Sequence, residues 1–115
     1  MKADIFYSTL CALSLALASP LLNASDIQAN TAEIRYDQRR FTPAKIEVRT
    51  GIPLVLTIVN TSGERIEFES FKLHREKVIE PGETATLRLP ALRAGRYDFF
   101  DDFHPDVPEG VIVVR

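Results

Sequence analysis

The chain has 115 residues, enough for one modest domain built round a single hydrophobic core. Its 14 Lys and Arg against 16 Asp and Glu leave a net charge of −2, which argues against a polybasic face for nucleic acid or membrane headgroups. A single cysteine excludes a disulfide framework and, with only two histidines, argues against a structural Cys/His zinc site.

The N-terminus reads as an export signal. Lys2 supplies a short positive region, and Leu10 to Ala18 forms an apolar stretch too short to span a bilayer. Small residues follow, and cleavage after Ala24 fits, with Ala18 and Ala29 as alternatives and an uncleaved anchor left open. Residues 1–24 are therefore expected to be a cleaved signal peptide, 25–30 a flexible lead-in and 31–115 the folded domain. Cleavage removes Cys11, so the exported chain carries no thiol.

Short strand signals then alternate with Pro, Gly and Asn turns at the spacing of a β-sandwich. Ala32, Ile34 and Tyr36 alternate with Glu33, Arg35 and Asp37, as on a half-buried strand. Ile46 and Val48 mark a second strand, and Thr50 to Pro53 a turn. Leu54 to Val59 is nearly all apolar, as in a central strand, and ends in the turn Asn60 to Gly63. Ile66 to Phe71 is the next strand, followed by a stretch to Lys77 that has room for a short helical turn. Lys77 to Ile79, Thr84 to Leu89, Gly95 to Phe100 and Val111 to Val114 complete the set. No segment keeps a helical period over three turns. The expected fold is all-β, a Greek-key sandwich of about seven strands.

The residues with chemistry cluster late in the chain. Glu67-Phe68-Glu69 puts two carboxylates on one face of a strand, because alternate side chains point the same way. The same spacing suits a solvated sheet face. Asp101-Asp102-Phe103-His104 joins two carboxylates and an imidazole at a loop, a pattern that an ordinary exposed turn also uses. If the sandwich brings these segments to one end, Glu67, Glu69, Asp101 and His104 form an oxygen and nitrogen donor set for iron, manganese or Cu(II). Glu76, Asp102 and Glu109 are weaker candidates for the same set. His74 reads as a surface residue, and Tyr97 as a packing or corner residue before a redox relay. There is no Gly-rich phosphate loop and no base at motif spacing from Ser70.

Phe41-x-Pro43, Ile46-x-Val48, Gly51-x-Pro53, Asn60, Glu67-Phe68-Glu69, Pro81-Gly82, Gly95-x-Tyr97-x-Phe99 and Gly110-x-Ile112 together resemble a cupredoxin-like domain. The likeness runs from about Glu33 to Val114. It implies that Glu67, or Glu69 after a small shift, stands where such domains place a first His, that Asp101 replaces the Cys, and that His104 keeps the second His. The Glu-Phe-Glu and Asp-Asp-Phe-His variants resemble the EfeO-type group, including the small periplasmic members of FtrABCD-type ferrous iron uptake systems. EfeO itself shares the Glu-aromatic-Glu strand but keeps a Cys where this chain has Asp101. The resemblance implies a periplasmic protein with an iron or copper ion, partnered with a periplasmic iron-binding protein and an Ftr-type inner-membrane permease. It also implies binding or oxidation of Fe(II), a ferroxidase role whose turnover is open, as is a homodimer. A copper-binding chaperone and a metal-free structural sandwich are the alternatives.

Overall fold

The computed structural model describes residues 30–115; the expected signal peptide and its cleavage points, Cys11 and most of the expected lead-in lie outside them. Two mixed sheets pack face to face. The first holds four strands in the order β2 (Arg40–Thr42), β1 (Asn30–Asp37), β4 (Leu54–Asn60) and β7 (Thr84–Leu89). The second holds five, in the order β3 (Lys45–Val48), β9 (Gly110–Val114), β8 (Gly95–Asp101), β5 (Ile66–Ser70) and β6 (Arg75–Ile79). The all-β expectation holds, with nine strands among the described residues where about seven were expected. The short strand β2 carries only three residues, too few for a period to show, and was not expected.

Alternate residues along the strands fill the core, including β4, which the sequence alone marked only as nearly all apolar. Ile34, Tyr36, Leu54, Leu56, Ile58, Ile66, Phe68, Phe99 and Ile112 are all buried, each on the inner face of its strand. At 25 cal/mol per Å2 of apolar surface, each is worth roughly 2 kcal/mol relative to exposure. Edge-to-face aromatic packing links Tyr36 to Phe41 and Phe41 to Phe99, with centroids 5.1 Å apart in both pairs. Gly110 faces Phe99 so closely that a Cβ there would lie 2.1 Å from the ring.

The helical turn expected between Phe71 and Lys77 is absent. Phe71 to His74 is a tight turn closed by the His74 N–H donating to the Phe71 carbonyl (3.1 Å), and Arg75 already begins β6. Tyr97 takes the corner role, its hydroxyl donating to the Arg93 carbonyl four residues back (2.8 Å).

Candidate metal centre

Strands β5 and β8 meet in the register Phe68 opposite Asp101 and Glu69 opposite Phe100. Since side chains alternate, this pairing decides what each carboxylate can reach. Phe68 and Asp101 turn inward, while Glu67, Glu69 and Phe100 turn outward. The four residues expected to meet are thereby divided into two groups on opposite faces of one sheet.

The inner group is Asp101 and His104. Asp101 has no solvent exposure and is the last residue of β8, not a loop residue. One carboxylate oxygen accepts from the backbone N–H groups of Glu67 and Phe103, both at 3.1 Å. The other lies 2.6 Å from His104 Nδ1. A buried carboxylate requires such partners, because an unpaired one would cost several kcal/mol, on the order of a buried charge in a dry site. His104 is positioned by its own N–H donating to the Asp101 carbonyl (3.1 Å), so the loop closes back on the strand. With Nδ1 engaged by Asp101, Nε2 faces outward and lies 3.7 Å from Glu64.

Glu64 was not among the residues that the sequence singled out. It is delivered by the loop after β4, which buried Asn60 holds in shape. The Asn60 amide donates to the carbonyls of Glu64 (2.7 Å), Ile79 and Glu80 (both 3.2 Å). Its side-chain oxygen accepts from the Ser62 N–H (3.0 Å) and hydroxyl (2.6 Å). Arg39, in the turn between β1 and β2, crosses over this end. It donates to both Glu64 oxygens (3.1 and 3.3 Å) and forms a two-pronged pair with Asp106 (2.8 Å each). That pairing holds the Asp106 carboxyl below its ordinary range. The signal for Glu64 was the spacing Asn60-x-x-x-Glu64; its meeting with His104 across 40 residues depends on topology alone.

The outer group is Glu67 and Glu69 of β5 with Glu76 of β6, which stands opposite Glu69 in the ladder. One oxygen from each lies within 4.8 Å of the others. Partial desolvation, then the charges of Asp102 and Glu76, push Glu69 above the usual carboxylate range. Asp102 thus belongs to the outer face, although it adjoins Asp101 in sequence. Glu109 is exposed in the loop before β9, and His74 is exposed at the β5–β6 turn. Tyr36 completes the inner end. It is fully buried, and its hydroxyl feels the charge and hydrogen-bonding pull of Asp101 without closing a bond to it.

Two kinds of metal chemistry are thus separated by one strand. The inner end offers an imidazole nitrogen held by a carboxylate, with a second carboxylate in reach, a set suited to borderline divalent ions. The outer face offers oxygens alone, suited to hard ions.

Comparison with known proteins places this architecture. Residues 8–114 match the model of the cupredoxin-like domain family. The uncharacterized protein RP394 of Rickettsia prowazekii (strain Madrid E) is 38% identical over 83 residues, covering 72% of this chain and 66% of its own length. Among solved structures, the Cu(I)-bound metal-binding domain of the Cu(I)-exporting P-type ATPase CopA from Streptococcus pneumoniae D39 is similar with a TM-score of 0.66. It shares 20% identity, over 74% of this chain and 84% of that one. Dithionite-reduced auracyanin from Roseiflexus castenholzii is similar with a TM-score of 0.65 and 19% identity, over 76% and 99% of the two chains. A purple cupredoxin from Nitrosopumilus maritimus gives 0.58 and 17%, over 73% and 99%. These structural likenesses establish the fold.

Proposed function

The chain belongs to the cupredoxin-like domain family, and from that premise we propose that it is an exported copper-handling module that takes Cu(II) as cargo at the His104 end. The observation that carries this reading is the Asp101–His104 pair, with Nε2 of the imidazole turned toward Glu64.

A blue-copper centre does not fit these residues. It takes a Cys thiolate and a weak axial thioether or carbonyl. Residues 30–115 contain neither Cys nor Met, and the carboxylate of Asp101 is already engaged by two backbone N–H groups and an imidazole. A Cu(II) ion with nitrogen and oxygen donors does fit, since such ligands suit its tetragonal preference and copper heads the divalent affinity order. His104 Nε2 and Glu64 would hold it. Asp101 would not touch it; it fixes the ring and its tautomer, as carboxylates behind metal-bound histidines do. Arg39 competes for Glu64, and its two-pronged contact with Asp106 gives the guanidinium a place to stay when Glu64 turns to a cation. Fast electron transfer is not the chemistry such an ion would supply here, because no thiolate is present to carry it.

Competition titration with Cu(II) against a chelator of known affinity tests this. One equivalent should bind, and His104→Ala should weaken binding by at least about tenfold. Unchanged affinity in that variant removes the proposal.

A second reading has its own observation, the three convergent carboxylates Glu67, Glu69 and Glu76. Oxygen donors favour Fe(III) over Fe(II), so this face suits the iron-uptake role that the EfeO-type resemblance implies. In that role the protein works in the periplasm beside an iron-binding protein and an Ftr-type permease, binding Fe(II) or easing its oxidation. Anaerobic Fe(II) titration of the wild type and of the E67Q/E69Q/E76Q variant separates the readings. Loss of Fe(II) binding in the triple variant, with no effect of His104→Ala, selects the second.

A further inference from the structure

The outer face of the five-stranded sheet carries an apolar centre between two oppositely charged ends. Phe71, one residue past β5, is 70% exposed, the largest value for a bulky apolar side chain among the described residues. Its ring rests on Phe100 of β8, with centroids 5.2 Å apart. Val111 and Val113 of β9, opposite Asp98 and Arg96, continue the apolar stripe and are half-buried. Phe103, the other exposed aromatic, is capped by the Arg65 guanidinium, 5.7 Å from its centroid. A bare aromatic pair on a sheet face is the usual mark of a contact surface.

On one side of this pair lie Glu67, Glu69 and Glu76. On the other lie Lys72 and Arg96, which share an open concavity of about 540 Å3 with Phe71, His74 and Tyr97. Lys72 Nζ donates to the Arg96 carbonyl (3.0 Å), which places the ammonium there and leaves two of its N–H donors free. Among the described residues, none of these three acids and neither of these two cations belongs to an ion pair. Asp98 and Glu47 are the acids at the basic end. Glu47 is engaged by Lys45 and Arg115, so Asp98 alone opposes Lys72 and Arg96.

We propose that this face binds the same face of a second copy of the chain, about a two-fold axis through the Phe71–Phe100 pair. A two-fold contact requires a self-complementary surface. Rotation about this axis lays the three acids of each copy over Lys72 and Arg96 of the other and buries the aromatic pairs between them. A basic peptide would match only the acidic end, and an acidic peptide only the basic one; a second copy matches both. The inference goes beyond the copper-handling reading, since Asp101 and His104 belong to the inner side of the sheet. It covers the carboxylates on which the iron reading depends.

The test is sedimentation equilibrium of the full chain in a chelating buffer, so that no metal bridges the carboxylates. Wild type should show a reversible monomer–dimer equilibrium. Phe71→Asp should raise the dissociation constant at least about tenfold. The variants E67K/E69K and K72E/R96E should each be monomeric alone and should pair when mixed, because the mixture restores both charged contacts. Adding Phe71→Asp to both should abolish that pairing, which separates a specific interface from attraction between oppositely charged proteins. A wild type that stays monomeric overturns the inference and leaves the face to a different partner. So does a dimer that Phe71→Asp leaves intact, since association then runs through the shared N-terminus or another surface. Charge variants that fail to pair when mixed overturn the two-fold arrangement.

Discussion

The two faces of the β5–β8 pairing use the same kinds of residue in opposite ways. Inside, Asp101 is fully buried and every contact it makes is attractive: two backbone N–H groups and an imidazole. Outside, Glu67, Glu69 and Glu76 face one another, and Glu69 is disturbed by its like-charged neighbours. The inner site is organised before any ion arrives, and the outer face becomes favourable only when something positive covers it. A carboxylate's residue type says little about its role. The partners supplied by the strand register decide it.

That contrast can be broken most severely at Asp101. Asp101→Ala leaves the Glu67 and Phe103 N–H groups and the His104 ring without their acceptor. A loss of roughly 3 kcal/mol is expected, which lowers Tm by on the order of 10–20 °C in a domain this small. A melt within a degree or two of wild type would show that the inner network is not what holds this end together. Gly110→Ala attacks the same side through packing, since its Cβ would meet Phe99 beside the inner end. About 2 kcal/mol of destabilisation by denaturant titration is expected from such overpacking. The outer triple variant E67Q/E69Q/E76Q should instead hold or raise Tm, because it removes repulsion without breaking an attraction within the core. Arg39→Gln sharpens the comparison at the inner rim. Removing the guanidinium that competes for Glu64 should raise Cu(II) affinity by roughly threefold, the scale of a solvent-exposed ion pair; a fall in affinity would mean that Arg39 shapes the site.

The smallest effect is in pH. Glu69 has its pKa raised in the folded state, so the folded protein holds that proton more tightly than the unfolded chain. Its unfavourable contribution is fully present above the folded pKa and is relieved as pH falls through that value toward the ordinary one. Asp106 and Glu47 are lowered by Arg39 and Arg115, so their favourable contributions are lost only further down, as pH falls below the ordinary carboxylate range. Melting curves of wild type and the triple variant from pH 7 down to mildly acid conditions should therefore converge, with wild type gaining more. Added salt should shrink the difference. Parallel curves would place the repulsion elsewhere.

Much of this was legible in the sequence. Alternation gave the inner face of β1, and it put Glu67 and Glu69 on one side, whereas the inner face of the nearly all-apolar β4 emerged only in the structure. The shared neighbourhood of Asp101 and His104 was legible too, because they stand three residues apart. The direction of Asp101 was not. A shift of one residue in the pairing with β5 would have sent it outward to join Glu69, and register is a property of two strands rather than one. Glu64 and Arg39 were missed for a related reason: they come from two different segments, and only the closing of the sandwich brings Glu64 to His104 and Arg39 to Glu64. The turn at Phe71 to His74 looked helix-compatible because nothing in its composition forbids a helix, whereas pairing of β6 with β5 from Arg75 onward ends that option.

The most direct measurement is electron paramagnetic resonance of the chain loaded with one equivalent of Cu(II), compared across wild type, His104→Ala and the outer triple variant. The inner site predicts hyperfine coupling to a single imidazole nitrogen, kept in the triple variant and lost in His104→Ala. Coupling that survives His104→Ala, or a signal that vanishes with the outer carboxylates, would contradict the account.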